Sequence, residues 1–239
     1  MQKPKIIFES DLMFVLEKPS GWITNDADTT TSQSVIQKWV RDSFTYPLKG
    51  NMEARDGIVH RLDKETSGIL LVAKTMEAFE DLQMQFKTRV VNKTYIALVH
   101  GEVIPQEGQI KAEVGRLPWR RDRFGVLAGG RDSETNYQTV GSYELLTTKE
   151  KFTLLKLTPK TGRTHQIRIH LKHIGYPIVA DEFYAGRKTA RNDRKWCPRL
   201  FLHAGGIVFN HPKTQKKIEF ESNLPSDLLE TLAKLTKLA

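Results

Sequence analysis

Cysteine is almost absent from this chain of 239 residues: Cys197 stands alone. An intrachain disulfide and a thiolate metal cluster are therefore both excluded, and the chain suits a reducing compartment. Long apolar runs are also missing, since no stretch approaches the roughly 18 residues of a membrane span. The N-terminal MQKPKIIFESDLMFVLEKP interrupts each apolar run with a charge. It has no signal-peptide core, and its acidic residues argue against a transit peptide. Walker and HExxH motifs are absent, and no repeat or low-complexity tract occurs. His165, His170 and His173 lack the spacing and the acidic third ligand of a zinc site, so no metal is expected. HRLD at residues 60–63 shares letters with the catalytic loop of protein kinases. The glycine-rich loop before it and the DFG after it are missing, which rejects that reading. A soluble, cytoplasmic protein with no membrane partner is expected.

Basic charge, in contrast, is present in excess: 37 Lys and Arg against 28 Asp and Glu give a net +9. Residues 1–120 are charge-balanced, so the whole excess sits in residues 121–239. Such asymmetry favours a polyanionic partner, although a basic solubility face would read the same way. The densest chemistry lies at His60–Lys74, HRLDKETSGILLVAK. Ile69–Ala73 reads as a buried central strand, and Thr66, Ser67 and Gly68 before it are turn formers. Asp63 is thus a lone carboxylate on a loop at the core's edge, suited to a nucleophile or general base. From spacing alone, a cap or turn former is an equal reading.

A second dense segment is Gly162–Leu171, GRTHQIRIHL. The pattern predicts a helix over residues 164–174, capped by Thr164 and stopped by Gly175. Ile167, Leu171 and Ile174 share its buried face. Arg168 lies about 60° from Leu171 around the helix. It could reach from the core boundary to a carboxylate, or merely cover apolar surface with its stem. Further helices are expected at 34–44 and 75–89, and from Pro225 with leucines at 228, 229, 232, 235 and 238. Strands are expected at IIFES, FVLEKP, Lys93–Val103, Phe152–Leu157, and as a hairpin of Phe201–Phe209 with Ile218–Glu221. Strands and helices interleave irregularly and no linker stands out. One domain spanning 1–239 with a mixed sheet follows, of the α+β class.

HRLDKETSG with its apolar strand resembles the signature of the RluA-type pseudouridine synthases, in which the aspartate is catalytic. GRTHQIRIHL followed by Gly175-Tyr176-Pro177-Ile178-Val179-Ala180-Asp181 resembles that family's third motif, whose final arginine, here Arg168, pairs with the catalytic aspartate. Leu16-Glu17-Lys18-Pro19-Ser20-Gly21 is similar to the first motif, which buttresses the active site. Lys93-Thr94-Tyr95-Ile96-Ala97-Leu98-Val99 resembles the segment of the active-site tyrosine, here Tyr95. Leu200–Ala204 with His211-Pro212 resembles the C-terminal part of the fold. The likeness runs from about residue 6 to residue 225. Ala180 departs from it, standing where glycine is usual. The separate N-terminal RNA-binding domain of many relatives is expected to be missing, because the first motif begins so near Met1.

The resemblance implies an α+β fold with a largely antiparallel sheet flanked by helices, and an enzyme that turns uridine in RNA into pseudouridine. That reaction is redox-neutral and needs no cofactor. Asp63, Tyr95 and Arg168 would be catalytic: Asp63 by covalent or proton-transfer chemistry, Arg168 by keeping that carboxylate ionised, and Tyr95 by stacking on uracil. Arg61 would fill the space left by the flipped base, and Ile169 and Leu171 would line the pocket or be purely structural. His60 and Arg163 join the candidate RNA contacts. Phosphate contacts would come from Arg187, Lys188, Arg191, Arg194, Lys195 and Arg199, in preference to a second cluster of Arg120, Arg121 and Arg123 beside Trp119 and Phe124. The partner is expected to be a structured RNA, a stem-loop of transfer or large-subunit ribosomal RNA, bound by a monomer, with no DNA partner. The competing reading is an RNA chaperone or assembly factor that shares the basic face and does not depend on Asp63.

Overall fold

In the chain's computed structural model, residues 2–30, 32–118 and 120–238 are described. The strands are β1 (Lys5–Glu9), β2 (Met13–Lys18), β3 (Ser67–Ala73), β4 (Asn92–His100), β5 (Glu107–Leu117) and β6 (Arg120–Val126). They continue with β7 (Arg131–Leu145), β8 (Glu150–Pro159), β9 (Leu202–Asn210), β10 (Lys217–Glu221) and β11 (Thr236–Lys237). The helices are α1 (Ile36–Ser43), α2 (Met76–Lys87), α3 (Gln166–His173), α4 (Arg187–Asp193) and α5 (Ser226–Ala233). The α+β class and the mainly antiparallel sheet with flanking helices are as expected. By its contacts the chain forms two compact units: residues 1–92 with 204–222, and residues 93–203 with 223–239.

In the first unit, β1, β2 and β3 pair antiparallel, with Val15 opposite Leu71. β3 continues the order to β9, whose residues from Ala204 belong here, and β10 returns antiparallel along β9. Every residue of β3 is buried, as its unbroken apolar run implies for a strand covered on both faces. Gly68 is needed at its start: with φ +120, a Cβ there would lie 2.2 Å from the Ala204 carbonyl oxygen. Helix α2 begins where Thr75 caps it by accepting the Ala78 N–H at 3.3 Å.

The second unit orders its strands β4-β8-β7-β5-β6, with β11 along β7. Leu98, Phe152, Leu155, Leu171, Phe201 and Leu228 are among its fully buried core residues. The expected Thr164 cap is not what starts α3. His165 occupies the cap position in the left-handed region at φ 55, with no side-chain cap bond. Gln166 instead turns its side-chain oxygen to the Arg163 N–H at 3.0 Å. The final helix is shorter than its leucines suggest, ending at Ala233 before Leu235 and the short β11.

His170 is fully buried on α3. Thr135 accepts from Gln166 and lies 3.0 Å from His170 Nδ1, while Ser133, which donates to the Ala112 carbonyl, lies 2.9 Å from Nε2. This donor chain fits a neutral ring with its proton on Nε2. Burial draws its pKa down from 6.5 to about 4. Between those values the unfolded chain takes up a proton that the folded ring refuses, so stability falls as pH drops through that window. Urea midpoints measured from pH 7 to pH 4 should therefore decline more steeply in the wild type than in His170→Gln. Parallel profiles would remove His170 as the cause.

Candidate active site

Asp63 is half-buried, in the first unit, on the loop that leads into β3. Both flanks of that loop are fastened. Upstream, the buried Thr24 hydroxyl donates to the Leu62 carbonyl at 2.9 Å and accepts the Leu62 N–H at 3.1 Å. Downstream, the Lys64 carbonyl accepts the Gly21 N–H at 2.8 Å and the Lys18 amine at 3.1 Å. The Asp63 carbonyl itself takes the Thr66 N–H at 3.1 Å, closing the turn. Lys18 is fully buried, and its amine also donates to the carbonyls of Trp22 at 2.8 Å and Pro19 at 3.1 Å. A carboxylate on a loop held this way keeps one position, as a reacting group requires.

The neighbours of Asp63 divide by role. His60 Nε2 accepts the Leu71 N–H at 3.0 Å, and its ring stacks on Phe86 with centroids 4.8 Å apart. Its imidazole is thus bound into the fold. Arg61 is exposed beside it. Asp56 is a carboxylate that sequence reading passed over as part of a loop. It is fully buried and accepts from Gln37 at 2.8 Å and Gly50 at 2.7 Å, with Arg41 at 3.5 Å.

The second unit carries Tyr95 and Arg168. Tyr95 is half-buried on β4 opposite Leu157 and packs on that unit's core. Arg168 is nearly buried on α3. Its guanidinium grips Asp181 with two parallel bonds, Nε to Oδ2 at 2.7 Å and Nη2 to Oδ1 at 2.8 Å. Asp181 also accepts the Phe183 and Tyr184 N–H groups at 3.0 and 3.1 Å. The guanidinium lies 5.0 Å from the Tyr184 ring centroid and 5.4 Å from that of Phe183. Asp181 closes the segment Gly175–Asp181, and its place there was the only signal of this pairing. Ala180, the departure from the usual glycine, sits at φ 61 with its N–H on Asp193 at 2.8 Å. Here a side chain occupies a backbone conformation that favours glycine.

Leu171 is fully buried within the core. Arg163 is half-buried and donates to the Asp132 carbonyl at 3.3 Å. The basic run divides in two. Arg187, Lys188 and Arg191 on α4 are exposed, as is Lys195. Arg194 donates to the Pro198 and Ala180 carbonyls at 2.6 and 3.2 Å, and Arg199 forms a two-bond pair with Asp227 at 2.6 and 3.0 Å. Helix α4 is fixed through Asp193, which meets His100 Nε2 at 3.0 Å, while Glu150 meets Nδ1 at 2.9 Å. Burial lowers the His100 pKa, but the two carboxylates outweigh it and raise the value above the usual one. In the second basic cluster, Arg120 is exposed and Arg123 donates to the Phe183 carbonyl at 2.8 Å. Trp119 and the Arg121 side chain lie outside the described residues. Among the described residues no group of three His, Cys, Asp or Glu is placed to hold a metal ion. No described helix is long and apolar enough to cross a membrane.

The sequence pattern of a family described as RNA pseudouridylate synthase matches residues 12–173. The chain is 35% identical to the uncharacterized RNA pseudouridine synthase YlyB of Bacillus subtilis, covering 97% of this chain and 73% of that one. It is 36% identical to ribosomal large subunit pseudouridine synthase D of Pseudomonas aeruginosa, covering 97% and 71%. Among solved structures, human RNA pseudouridylate synthase domain containing 1 superposes with a TM-score of 0.75 at 25% identity, covering 99% of this chain and 89% of that one.

The loop geometry sets a test. Thr24→Val removes both bonds to Leu62 and buries an unpaired N–H and carbonyl, at a cost of about 1–3 kcal/mol. Urea unfolding should show that loss, while Thr24→Ser should restore most of it. Equal stability in all three proteins would mean that the hydroxyl does not hold the loop.

Proposed function

Because the chain belongs to the RNA pseudouridylate synthase family, we propose that it isomerises specific uridines of a structured RNA, with Asp63 as its catalytic carboxylate. The observation that carries this reading is the fastening of the Asp63 loop on both flanks by Thr24 and Lys18. Large-subunit ribosomal RNA is the favoured substrate, since a relative 36% identical over nearly the whole chain bears that name. Transfer RNA is the other pool to be tested.

The reaction breaks the bond from the uracil nitrogen to the sugar, turns the base, and rejoins it through carbon 5. The hydrogen on that carbon leaves as a proton, and a proton returns to the freed nitrogen. No electrons are gained or lost, so the enzyme works without a cofactor. Asp63 acts on the nucleoside by covalent or proton-transfer chemistry. Arg168 supplies a cation whose orientation Asp181 fixes. Tyr95 offers a ring to stack on uracil and a hydroxyl to bond it. Extruding the base costs a few kcal/mol, and the exposed Arg61 takes the vacated place in the stack. The exposed cations of α4 contact backbone phosphates. The enzyme acts as a monomer in the cytoplasm, where both RNA pools reside.

Ribosomal and transfer RNA carrying tritium at uracil carbon 5 report the chemistry directly, because forming the new carbon–carbon bond expels that label. The wild type should release tritium from one pool. Asp63→Asn should release none and still bind that RNA within a few-fold of the wild type. Full release by the variant would remove Asp63 from the reaction. Replacing Arg187, Lys188 and Arg191 together with Gln should weaken binding and lower the slope of log K against log salt by about 2–3. An unchanged slope would show that α4 does not meet the phosphates.

A further inference from the structure

Lys93 is the second residue of β4, two before Tyr95, so both side chains leave the same face of that strand, about 7 Å apart. The lysine is half-buried, and its surroundings are unusual for a cation. Among the described residues, the Nζ atom has one hydrogen-bond partner, the Thr161 carbonyl, at a long 3.5 Å. The other buried or nearly buried cations considered above are better provided for: Lys18 has three carbonyls, Arg168 has Asp181, and Arg199 has Asp227. Burial alone draws the Lys93 pKa down to about 8, with no charged neighbour contributing. A lysine whose stem merely covered apolar surface would deliver its amine to water and keep its ordinary value.

Bare backbone lies beside the amine. A Cβ at the exposed Gly162 would stand 3.6 Å from Nζ, and the glycine provides none. Arg163 follows immediately, and its guanidinium donates from Nε to the Asp132 carbonyl at 3.3 Å. Titratable groups on the surrounding elements include Tyr95 on β4, Lys156 on β8, Asp132 and Glu134 on β7, His203 on β9, and Lys160 with Arg163 in the loop after β8. Of the two carboxylates named, Glu134 is engaged by Gln109 at 2.7 Å and Lys111 at 4.0 Å, and Asp132 presents its backbone carbonyl to Arg163 at 3.3 Å.

We propose that Lys93, the bare backbone at Gly162 and Arg163 form a binding site for one phosphodiester of the RNA, next to the base that Tyr95 receives. This inference rests on the assignment of the protein as an RNA uridine isomerase and adds a specific phosphate contact to it. A phosphate supplies the anion that the burial of Lys93 calls for, and its arrival holds the amine in its charged form. Placing the cation partly out of water makes its attraction to that anion stronger than at an exposed α4 lysine. The same burial makes binding sensitive to pH where the free amine loses its proton.

The test measures binding of a labelled oligouridylate between pH 7 and about pH 9 by wild type, Lys93→Met, Lys93→Arg and Gly162→Val. Wild-type affinity should fall about five- to tenfold over that range. Lys93→Met should bind about tenfold more weakly at pH 7 and show a flat profile. Lys93→Arg should bind well with a flat profile, since its guanidinium stays charged. Gly162→Val should weaken binding while keeping the wild-type pH dependence. Wild-type affinity in Lys93→Met, or a pH dependence that survives in Lys93→Arg, overturns the proposal. Tritium release by the wild type at pH 7 is read in parallel. Its absence counts against the uridine-isomerase assignment, whereas its presence with unaltered Lys93 variants counts against this phosphate site alone.

Discussion

A fully buried ammonium sets the geometry of the Asp63 loop. Taking the Lys18 charge out of water is expensive unless the lost hydration is replaced. Here it is replaced by the carbonyls of Pro19, Trp22 and Lys64, at 3.1, 2.8 and 3.1 Å. Two of these carbonyls come from the turn that follows β2, and the third from the residue after Asp63. The cation therefore joins two segments distant in sequence through bonds to backbone, which leaves little freedom to the residues between its anchor and β3. The three carbonyls are fixed dipoles whose negative ends converge on the ammonium, so they hold it in one place beside the Asp63 loop.

Arg168 shows the opposite solution. Its buried charge is cancelled by Asp181 through a two-bond fork, and the same carboxylate gathers two backbone N–H groups from residues 183 and 184. Such a pair adds little net stability, because desolvating both ions offsets most of their attraction. It does add orientation. The planar fork fixes the guanidinium against the Tyr184 ring and ties α3 to the segment that precedes α4. Arginine suits this position where lysine would not, since an ammonium cannot hold both carboxylate oxygens in one plane.

What the sequence made legible follows from how strongly each segment was constrained. β3 was readable because a strand buried on both faces is apolar at every position. The Asp63 and Arg168 segments stood out only through their likeness to family motifs, since spacing alone left the role of each residue open. β5, β6, β7, β11 and α4 were not recognised. β5 and α4 have few buried residues and β7 buries the polar Ser133 and Thr135, so no clean apolar period survives. Thr164 looked like a cap because its side chain suits one. The left-handed turn at His165 moved the helix start two residues on, and the Gln166 side chain accepts the N–H of Arg163 ahead of it. The pairing of Arg168 with Asp181 spans 13 residues, beyond the reach of periodicity.

Charge was the least readable property at the level of single residues. Composition gives the same weight to every arginine from 187 to 199, yet the structure assigns them to different tasks. Arg194 and Arg199 hold the carbonyls of Pro198 and Ala180 and the carboxylate of Asp227, while Arg187 and Arg191 stand in solvent. An arginine whose donors are occupied by the fold exerts a field on RNA but cannot close a hydrogen-bonded contact with phosphate without giving up a structural one. The net +9 thus measures long-range attraction. On the proposed RNA-binding reading, the number of direct phosphate contacts is set by the smaller group of exposed cations, and the salt dependence of binding counts that group.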